Sequence, residues 1–241
     1  MKQAIRPLQV LLPLGLGTAL SLMGDATLYT VLPTHTAAAG VTLASVGILL
    51  SANRFIRLLF NGAFGLAYDR WPRRRLFVPA LFLGALSTLL YAATRGFWPL
   101  LAGRLLWGAA WSGIWVGGGT MILDVTGTHD RGRWTGLYET WFFLGAAAGT
   151  FAGGLLTDRL GYTAAMGIGA GLTALGALVA LLRLPETRGI RRDDRSPVGP
   201  PLRLRANRGL WVAASCHAVN RFCIAGVLVS TMALLVQDRL S

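Results

Sequence analysis

Charged residues are scarce in this chain of 241 residues, and lysine is almost missing. Only 14% of the residues are charged, against about a quarter in a soluble domain. Lys2 is the sole lysine, which excludes a phosphate-binding loop ending in Lys-Ser or Lys-Thr. The sequence also lacks a His-Glu-x-x-His helix and a Gly-x-Ser-x-Gly turn, so it predicts neither an enzyme nor a cofactor site.

Cysteine and histidine are sparse as well. Cys216 and Cys223 fall within one apolar run, which argues against a disulfide scaffold. His35, His129 and His217 are scattered and predict no metal site. The formal charge of +13 could indicate nucleic acid, but the arginines lie between long apolar runs rather than along one polar face. We therefore expect a lipid bilayer, and no nucleic acid, around this chain.

Long apolar runs are what the sequence has in place of charge. A membrane-crossing helix needs about 20 mostly apolar residues, and none of the runs alternates like a barrel strand. The first run is too long for the apolar part of a signal peptide, about 7–15 residues, and predicts an uncleaved helix. Seven spans are predicted, at 8–33, 43–67, 76–94, 97–123, 134–156, 162–184 and 209–235.

The basic residues predict how these spans are oriented. Most of the 23 fall in the segments that share a side with the N-terminus, including Arg73, Arg74 and Arg75. Positive charge is retained on the cytoplasmic side, so we expect a cytoplasmic N-terminus. The prediction is a multi-pass protein of the plasma membrane, in a bacterium the inner membrane.

One long, arginine- and proline-rich loop divides the predicted spans. It suggests three parts: a six-helix bundle at 1–184, a basic cytoplasmic loop at 185–208, and a seventh helix at 209–241. A lone seventh helix has no helices of its own kind to pack against. We therefore expect a truncated chain, whose partner is the missing C-terminal half of the same protein.

A short motif occurs twice in the six-helix part of the sequence. Residues 65–72 read Gly-x-x-x-Asp-Arg-x-Pro after the second span, and 154–161 read Gly-x-x-x-Asp-Arg-x-Gly after the fifth. The two copies are three spans apart and so fall on opposite sides of the membrane. An inverted repeat of three plus three helices would leave this pattern.

The loop motif and three others resemble the major facilitator superfamily. Residues 65–75 read Gly-Leu-Ala-Tyr-Asp-Arg-Trp-Pro-Arg-Arg-Arg and match its loop after the second helix, except that Pro72 replaces a glycine. Residues 104–108 resemble its Arg-x-x-x-Gly motif, and 185–187, Pro-Glu-Thr, resemble the end of its sixth helix. The resemblance covers the whole chain and implies an all-α membrane protein, a six-helix bundle plus one further helix.

The resemblance also implies a conformational latch between two halves. Gly65 would allow close approach of helix ends, and Asp69 could accept from an arginine or a helix N-terminus. The alternative is that the arginines only anchor the topology at the anionic inner leaflet. The latch residues that the resemblance implies are Gly65, Asp69, Arg70, Arg73, Arg74 and Asp124.

Glycines in the fifth span match the spacing of the family's antiporter motif. They are Gly136, Gly145, Gly149 and Gly153, with Thr150 where that motif has proline. Small residues four apart also permit close helix packing in lipid, and packing explains the last three about as well as an antiporter role does.

Charged residues inside spans are costly and usually face a cavity or a partner. From the rise of about 1.5 Å per residue, Arg104 lies about 10 Å from the outer surface, Asp25 about 12 Å and Arg54 about 16 Å. In the family the first, fourth and seventh helices line a central cavity. We therefore expect a substrate or proton site there, built from Asp25, Arg54, Arg57, Arg104, Asn220 and Arg221.

Two roles for Asp25 stay open at this point. It is either a protonatable group, whose pKa is set by burial and a nearby arginine, or half of a structural ion pair that never titrates. An excess of cavity arginine also allows an anionic substrate. Trp107, Trp111 and Trp115 share one face of the fourth span, which favours a packing or lipid-facing stripe over a binding pocket.

The predicted function is transport of a small organic solute by alternating access of two six-helix halves. Proton coupling is expected, with export favoured over import. The alternatives are an importer of a metabolite or organic anion, and a non-transporting membrane sensor or scaffold on the same fold.

Overall fold

The computed structural model of the protein describes residues 6–190, 208–221 and 223. These residues form helices, with no strand among them. The prediction of an all-α bundle is thereby confirmed. The helices are α1 (Pro7–Val31), α2 (Thr36–Ala39), α3 (Leu43–Arg70), α4 (Arg73–Ala93), α5 (Phe97–Val125), α6 (Arg131–Leu160), α7 (Tyr162–Arg183) and α8 (Arg208–Arg221).

The six predicted N-terminal spans correspond to α1, α3, α4, α5, α6 and α7. Five of these, all but α5, are long and apolar enough to cross a membrane by length and composition. α5 has 29 residues, enough for about 43 Å of helix, but its tryptophans, glycines and Arg104 make it less apolar. The seventh predicted span, 209–235, lies partly outside the described residues, and α8 covers its beginning.

Proline and glycine set the tightest connections between the helices. α3 ends at Arg70 and α4 starts at Arg73, because Pro72 cannot continue α3 and restricts the residue before it. Pro72 has φ −57°, so this turn does not need the glycine usual in the resembling family. Gly161 alone separates α6 from α7 with φ 82°, a left-handed conformation that glycine adopts without strain.

The helix packing has the symmetry of two three-helix repeats. α1 packs chiefly against α6 and α7, α5 packs chiefly against α3 and α4, and α4 packs against α7. Exchanging the set α1, α3, α4 for the set α5, α6, α7 leaves these pairs unchanged. The predicted three-plus-three arrangement is therefore visible in which helices touch.

Glycines allow α6 to lie directly on α1. A Cβ added at Gly149 would be 2.6 Å from the Met23 Cα, and one at Gly153 would be 2.5 Å from the Thr27 Oγ1. Gly145 lies equally close to Ala19. Gly136, in contrast, has open space around it. The spacing of four residues thus brings three of the four glycines to the α1 contact.

Burial is uneven among the helices. The apolar core runs between α1, α4, α5 and α7, whereas α3 and α6 leave large apolar side chains exposed. Phe55, Leu58, Phe143 and Phe151 are all more than half exposed. Exposed apolar surface of this extent fits lipid or a further protein half.

The chain forms two compact units, Met1–Arg195 and Ser196–Ser241. All the contacts below lie in the first unit. The predicted boundaries at 184 and 208 stay predictions, and most of the basic loop lies outside the described residues.

Candidate functional site

A buried ion pair joins α1 to α5 inside the bundle. Arg104 Nη1 donates to Asp25 Oδ1 at 2.5 Å. Arg104 is completely buried and Asp25 is 6% exposed. The depths estimated from the sequence placed these two residues in one layer, and the structure brings them into direct contact.

Arg104 also reaches two further groups. Its Nη2 donates to the Tyr29 hydroxyl at 2.6 Å, and its Nε donates to the Leu49 carbonyl oxygen at 3.3 Å. Its guanidinium carbon lies 4.7 Å from the centre of the Tyr29 ring. One side chain of α5 therefore bonds to α1 and α3 together, which fixes the relative positions of three helices.

Asn53 extends this network along α3. Its Nδ2 donates to the Tyr29 hydroxyl at 3.0 Å, and the side chain is buried. The Asp25 carboxylate also interacts with the Trp107 indole and, at longer range, with Arg57. A buried charge is tolerated only when its hydrogen-bonding groups are met, and here both members of the pair have several partners.

Sequence reasoning did not identify the Tyr29 hydroxyl or the Leu49 carbonyl as partners of Arg104. Tyr29 follows Asp25 by four residues and so shares its face of α1, a spacing that could have signalled it. No sequence pattern marks a backbone carbonyl as a partner for a buried arginine.

The other predicted cavity residues are distributed differently. Arg57 is half-buried near the central pair, whereas Arg54 is exposed on α3. Asn220 and Arg221 belong to α8, but their side chains lie outside the described part of the structure. Asp25 and Arg104 are enclosed by the six-helix unit itself, and their exposure to a central cavity stays a prediction.

The tryptophan stripe of α5 is a packing feature. Trp107 and Trp111 are buried and stacked with ring centres 6.1 Å apart, and Trp115 continues the stack at 6.0 Å. Phe142 of α6 contacts both Trp111 and Trp115. The stripe therefore joins α5 to α6, in the core rather than on the lipid surface.

A second ion pair lies where α4 begins and α5 ends. Arg73 Nε donates to Asp124 Oδ2 at 3.0 Å. The Thr187 hydroxyl donates to the same carboxylate oxygen at 3.1 Å, and both Thr187 and Asp124 are buried. Asp124 thus ties the start of α4 to the segment after α7.

Glu186 completes this cluster by capping α4. Its carboxylate accepts from the backbone N–H groups of Arg73 at 2.9 Å and Arg74 at 3.1 Å. These are among the first amides of the helix, which have no partner within it. An anion here is favoured by the helix dipole as well. The Pro-Glu-Thr sequence after α7 thereby supplies both a cap for α4 and a partner for Asp124.

The rest of the predicted latch is solvent-facing in this unit. Asp69 and Arg70 are exposed, and the Asp69 carbonyl accepts from Arg188 at 3.5 Å. A Cβ at Gly65 would meet nothing within 4 Å, so within the described residues no helix end approaches it closely. The expected partner Asp124 pairs with Arg73. Arg74 donates instead to the Leu181 carbonyl of α7.

Comparisons with known proteins agree with this architecture. The family model described as Major Facilitator Superfamily matches residues 14–240. The class C tetracycline resistance protein of Escherichia coli is 29% identical over 178 residues, covering 72% of this chain and 44% of that protein. A probable 4-methylmuconolactone transporter of Cupriavidus pinatubonensis is 29% identical over 125 residues, covering 52% of this chain and 29% of that transporter.

Solved structures give the same fold. A bacterial homologue of the human lysosomal transporter Spinster, in an inward-facing and unoccupied conformation, superposes with a TM-score of 0.63. It is 17% identical, and the match covers 84% of this chain and 47% of that one. The chain therefore spans less than half the length of the relatives it matches. With the family model matching most of its length, this multi-pass membrane chain belongs to the Major Facilitator Superfamily.

Proposed function

We propose that the full-length protein exports a small organic solute across the plasma membrane by alternating access, driven by the proton gradient. The chain would be its N-terminal half, with the N-terminus in the cytoplasm. The second half would pack against the exposed apolar faces of α3 and α6. Arginines concentrated at the proposed cytoplasmic ends support this orientation.

The observation that carries the proposal is the buried pair of Asp25 and Arg104. Burial and the neighbouring guanidinium act on the carboxylate in opposite directions, so its protonation depends on how closely Arg104 holds it. Intramembrane carboxylates of this kind mark proton routes in pumps and transporters. A protonated Asp25 can still accept a hydrogen bond from Arg104, which also keeps its bonds to the Tyr29 hydroxyl and the Leu49 carbonyl, so the three helices stay joined when one proton binds.

The cytoplasmic cluster supports alternating access. Asp124, Arg73 and Glu186 hold the cytoplasmic ends of α4, α5 and α7 together, while Asp69 and Arg70 are exposed and can face a partner surface. In our proposal the second half contacts Asp69 and Arg70 in one conformation and leaves them in the other.

Export is favoured by the names of relatives. One is a tetracycline resistance protein, and another, citrate exporter 1 of Aspergillus niger, is 25% identical over 61% of this chain. Import of an organic anion is the second candidate. Arg57 supports it, because it is a half-buried cation inside a predicted span, where charged residues usually face a partner or a substrate path.

The test uses the full-length protein in energised inside-out vesicles with a pH-reporting dye. Lipophilic cations are added in one series and organic anions in another. We expect one class to collapse part of the proton gradient in the wild type and not in Asp25→Asn. Asp158→Asn serves as the matched control. It changes an exposed carboxylate at the C-terminal end of α6, and we expect it to keep the response.

Absence of a response to either class would refute proton-driven export of those solutes. Uptake of an anion into right-side-out vesicles would then identify the importer. Signalling that persists without any flux would identify a sensor on the same fold.

A further inference from the structure

A groove opens between α6 and α7, beside the N-terminal part of α1. Its volume is about 680 Å³, within the range of roughly 300–1,000 Å³ typical of ligand sites. Leu12 and Leu16 of α1 form its floor, Trp141 of α6 one wall, and Val179 of α7 the other.

The groove exists because α6 and α7 both lie close to α1 but touch each other little. Gly149 brings α6 onto α1, and Gly17 and Gly176 bring α7 onto α1. The strip of α1 between them stays uncovered, and Leu12 is 47% exposed. Apolar surface that the helices of a membrane protein leave uncovered can be filled by an acyl chain.

The groove is apolar along its length and polar at one end. Gln9 and the exposed Arg183 lie at that end, where α1 begins and α7 finishes. An apolar channel that ends in positive charge at the level of the headgroups complements an anionic lipid.

We propose that this groove binds one anionic phospholipid of the inner leaflet. An acyl chain lies against Leu12, Leu16 and Val179, and the phosphate bonds to Arg183. The lipid fills the gap between α6 and α7 and holds α6 against α1. The leaflet assignment rests on the orientation proposed above, but the site is independent of cargo and coupling.

The test is native mass spectrometry of the full-length protein, delipidated in detergent and titrated with phosphatidylglycerol or phosphatidylcholine. We expect one tightly retained phosphatidylglycerol and weaker retention of phosphatidylcholine. Arg183→Gln should weaken phosphatidylglycerol binding about fivefold, the effect of one basic side chain near a membrane surface. Arg133→Gln, at an exposed arginine on the same end of α6 but outside the groove, should leave it unchanged.

Leu16→Trp gives a second readout, because a larger side chain on the groove floor should reduce retention of both lipids. Equal retention of the two lipids by the wild type would overturn the proposal, as would an unchanged affinity in Arg183→Gln. Occupation of the groove by a second copy of the protein, seen as a dimer without lipid, would overturn it too. No outcome depends on transport, so the inference and the proposed function fail separately.

Discussion

Two arginine–aspartate pairs hold α5, one inside the bundle and one at its end, and they differ in what surrounds them. The inner pair, Asp25 and Arg104, is bordered entirely by helices and connects α1, α3 and α5. The outer pair, Arg73 and Asp124, lies among helix ends and the segment after α7. The Arg104 side chain has no exposed area, while that of Arg73 is 12% exposed; the two carboxylates are similarly buried, at 9% for Asp25 and 7% for Asp124.

We therefore expect the inner pair to stay in contact during a conformational change and the outer pair to be able to open. Removing one member of the inner pair leaves a buried charge without its partner, and such a charge is expensive. Breaking the outer pair lets the long Arg73 side chain, at the start of α4, reach water or lipid headgroups. The outer pair can therefore respond to a conformational change that the inner pair must survive.

The largest expected effect comes from Arg104→Gln, which leaves Asp25 buried without its cation. We expect the free energy of unfolding to fall by about 3–5 kcal/mol, as for other broken buried pairs. Unfolding of the full-length protein in mixed micelles by increasing SDS measures it. The double variant Asp25→Asn with Arg104→Gln should recover part of the loss, because no unpaired charge remains. A double variant as unstable as the sum of the singles would show that the pairing contributes nothing.

Arg73→Gln should cost less, about 2 kcal/mol, typical of a hydrogen bond to a charged group. Because this pair lies at the helix ends, salt should screen it more than the inner pair. The same unfolding experiment at low and high salt compares the two variants. We expect the cost of Arg73→Gln to shrink at high salt and that of Arg104→Gln to persist. Equal salt dependence would contradict the contrast between the two environments.

Glu186→Ala should cost about 1 kcal/mol, the usual loss for a helix cap. The carboxylate caps the first amides of α4, so hydrogen exchange should accelerate at Arg73, Arg74 and Arg75. Glu139→Ala, at a half-buried carboxylate inside α6, is the comparison, and it should leave exchange at α4 unchanged. Unaltered exchange at α4 in Glu186→Ala would show that the cap is not needed.

The smallest expected effect on stability is that of Gly65→Ala. A Cβ there meets nothing within 4 Å, and alanine is the better helix former by about 1 kcal/mol. We expect slightly raised stability together with slower transport, because in the proposal the second half packs against this glycine. Gly62→Ala, on the same helix and equally open, should raise stability and leave transport unchanged. Equal transport rates in the two variants would remove Gly65 from the proposed latch.

The sequence predicted the inner pair better than the outer cluster, for a physical reason. Opposite charges inside spans must find each other or a cavity, and helix rise alone showed that Asp25 and Arg104 share a depth. At the helix ends water and headgroups relax this constraint. Which arginine of the run 73–75 meets Asp124 then depends on where α4 starts, and that start is set by Pro72 and Glu186 together.

Other features depended on packing that no pattern encodes. The Tyr29 hydroxyl and the Leu49 carbonyl bond to Arg104 because three helices cross at that depth. The groove between α6 and α7 follows from how closely each lies on α1. Conversely, the spacing of Gly145, Gly149 and Gly153 pointed to a close helix contact, because a stripe of small residues has few other uses in lipid.

The most direct test of the central claim compares driven export with solute exchange in Asp25→Asn. Full-length protein in proteoliposomes is assayed once with an imposed proton gradient and once with equal solute on both sides. We predict that exchange is retained, since asparagine resembles the protonated carboxyl beside Arg104, and that gradient-driven export is lost. Gradient-driven export at the wild-type rate would contradict the account and leave Asp25 and Arg104 as a structural pair alone.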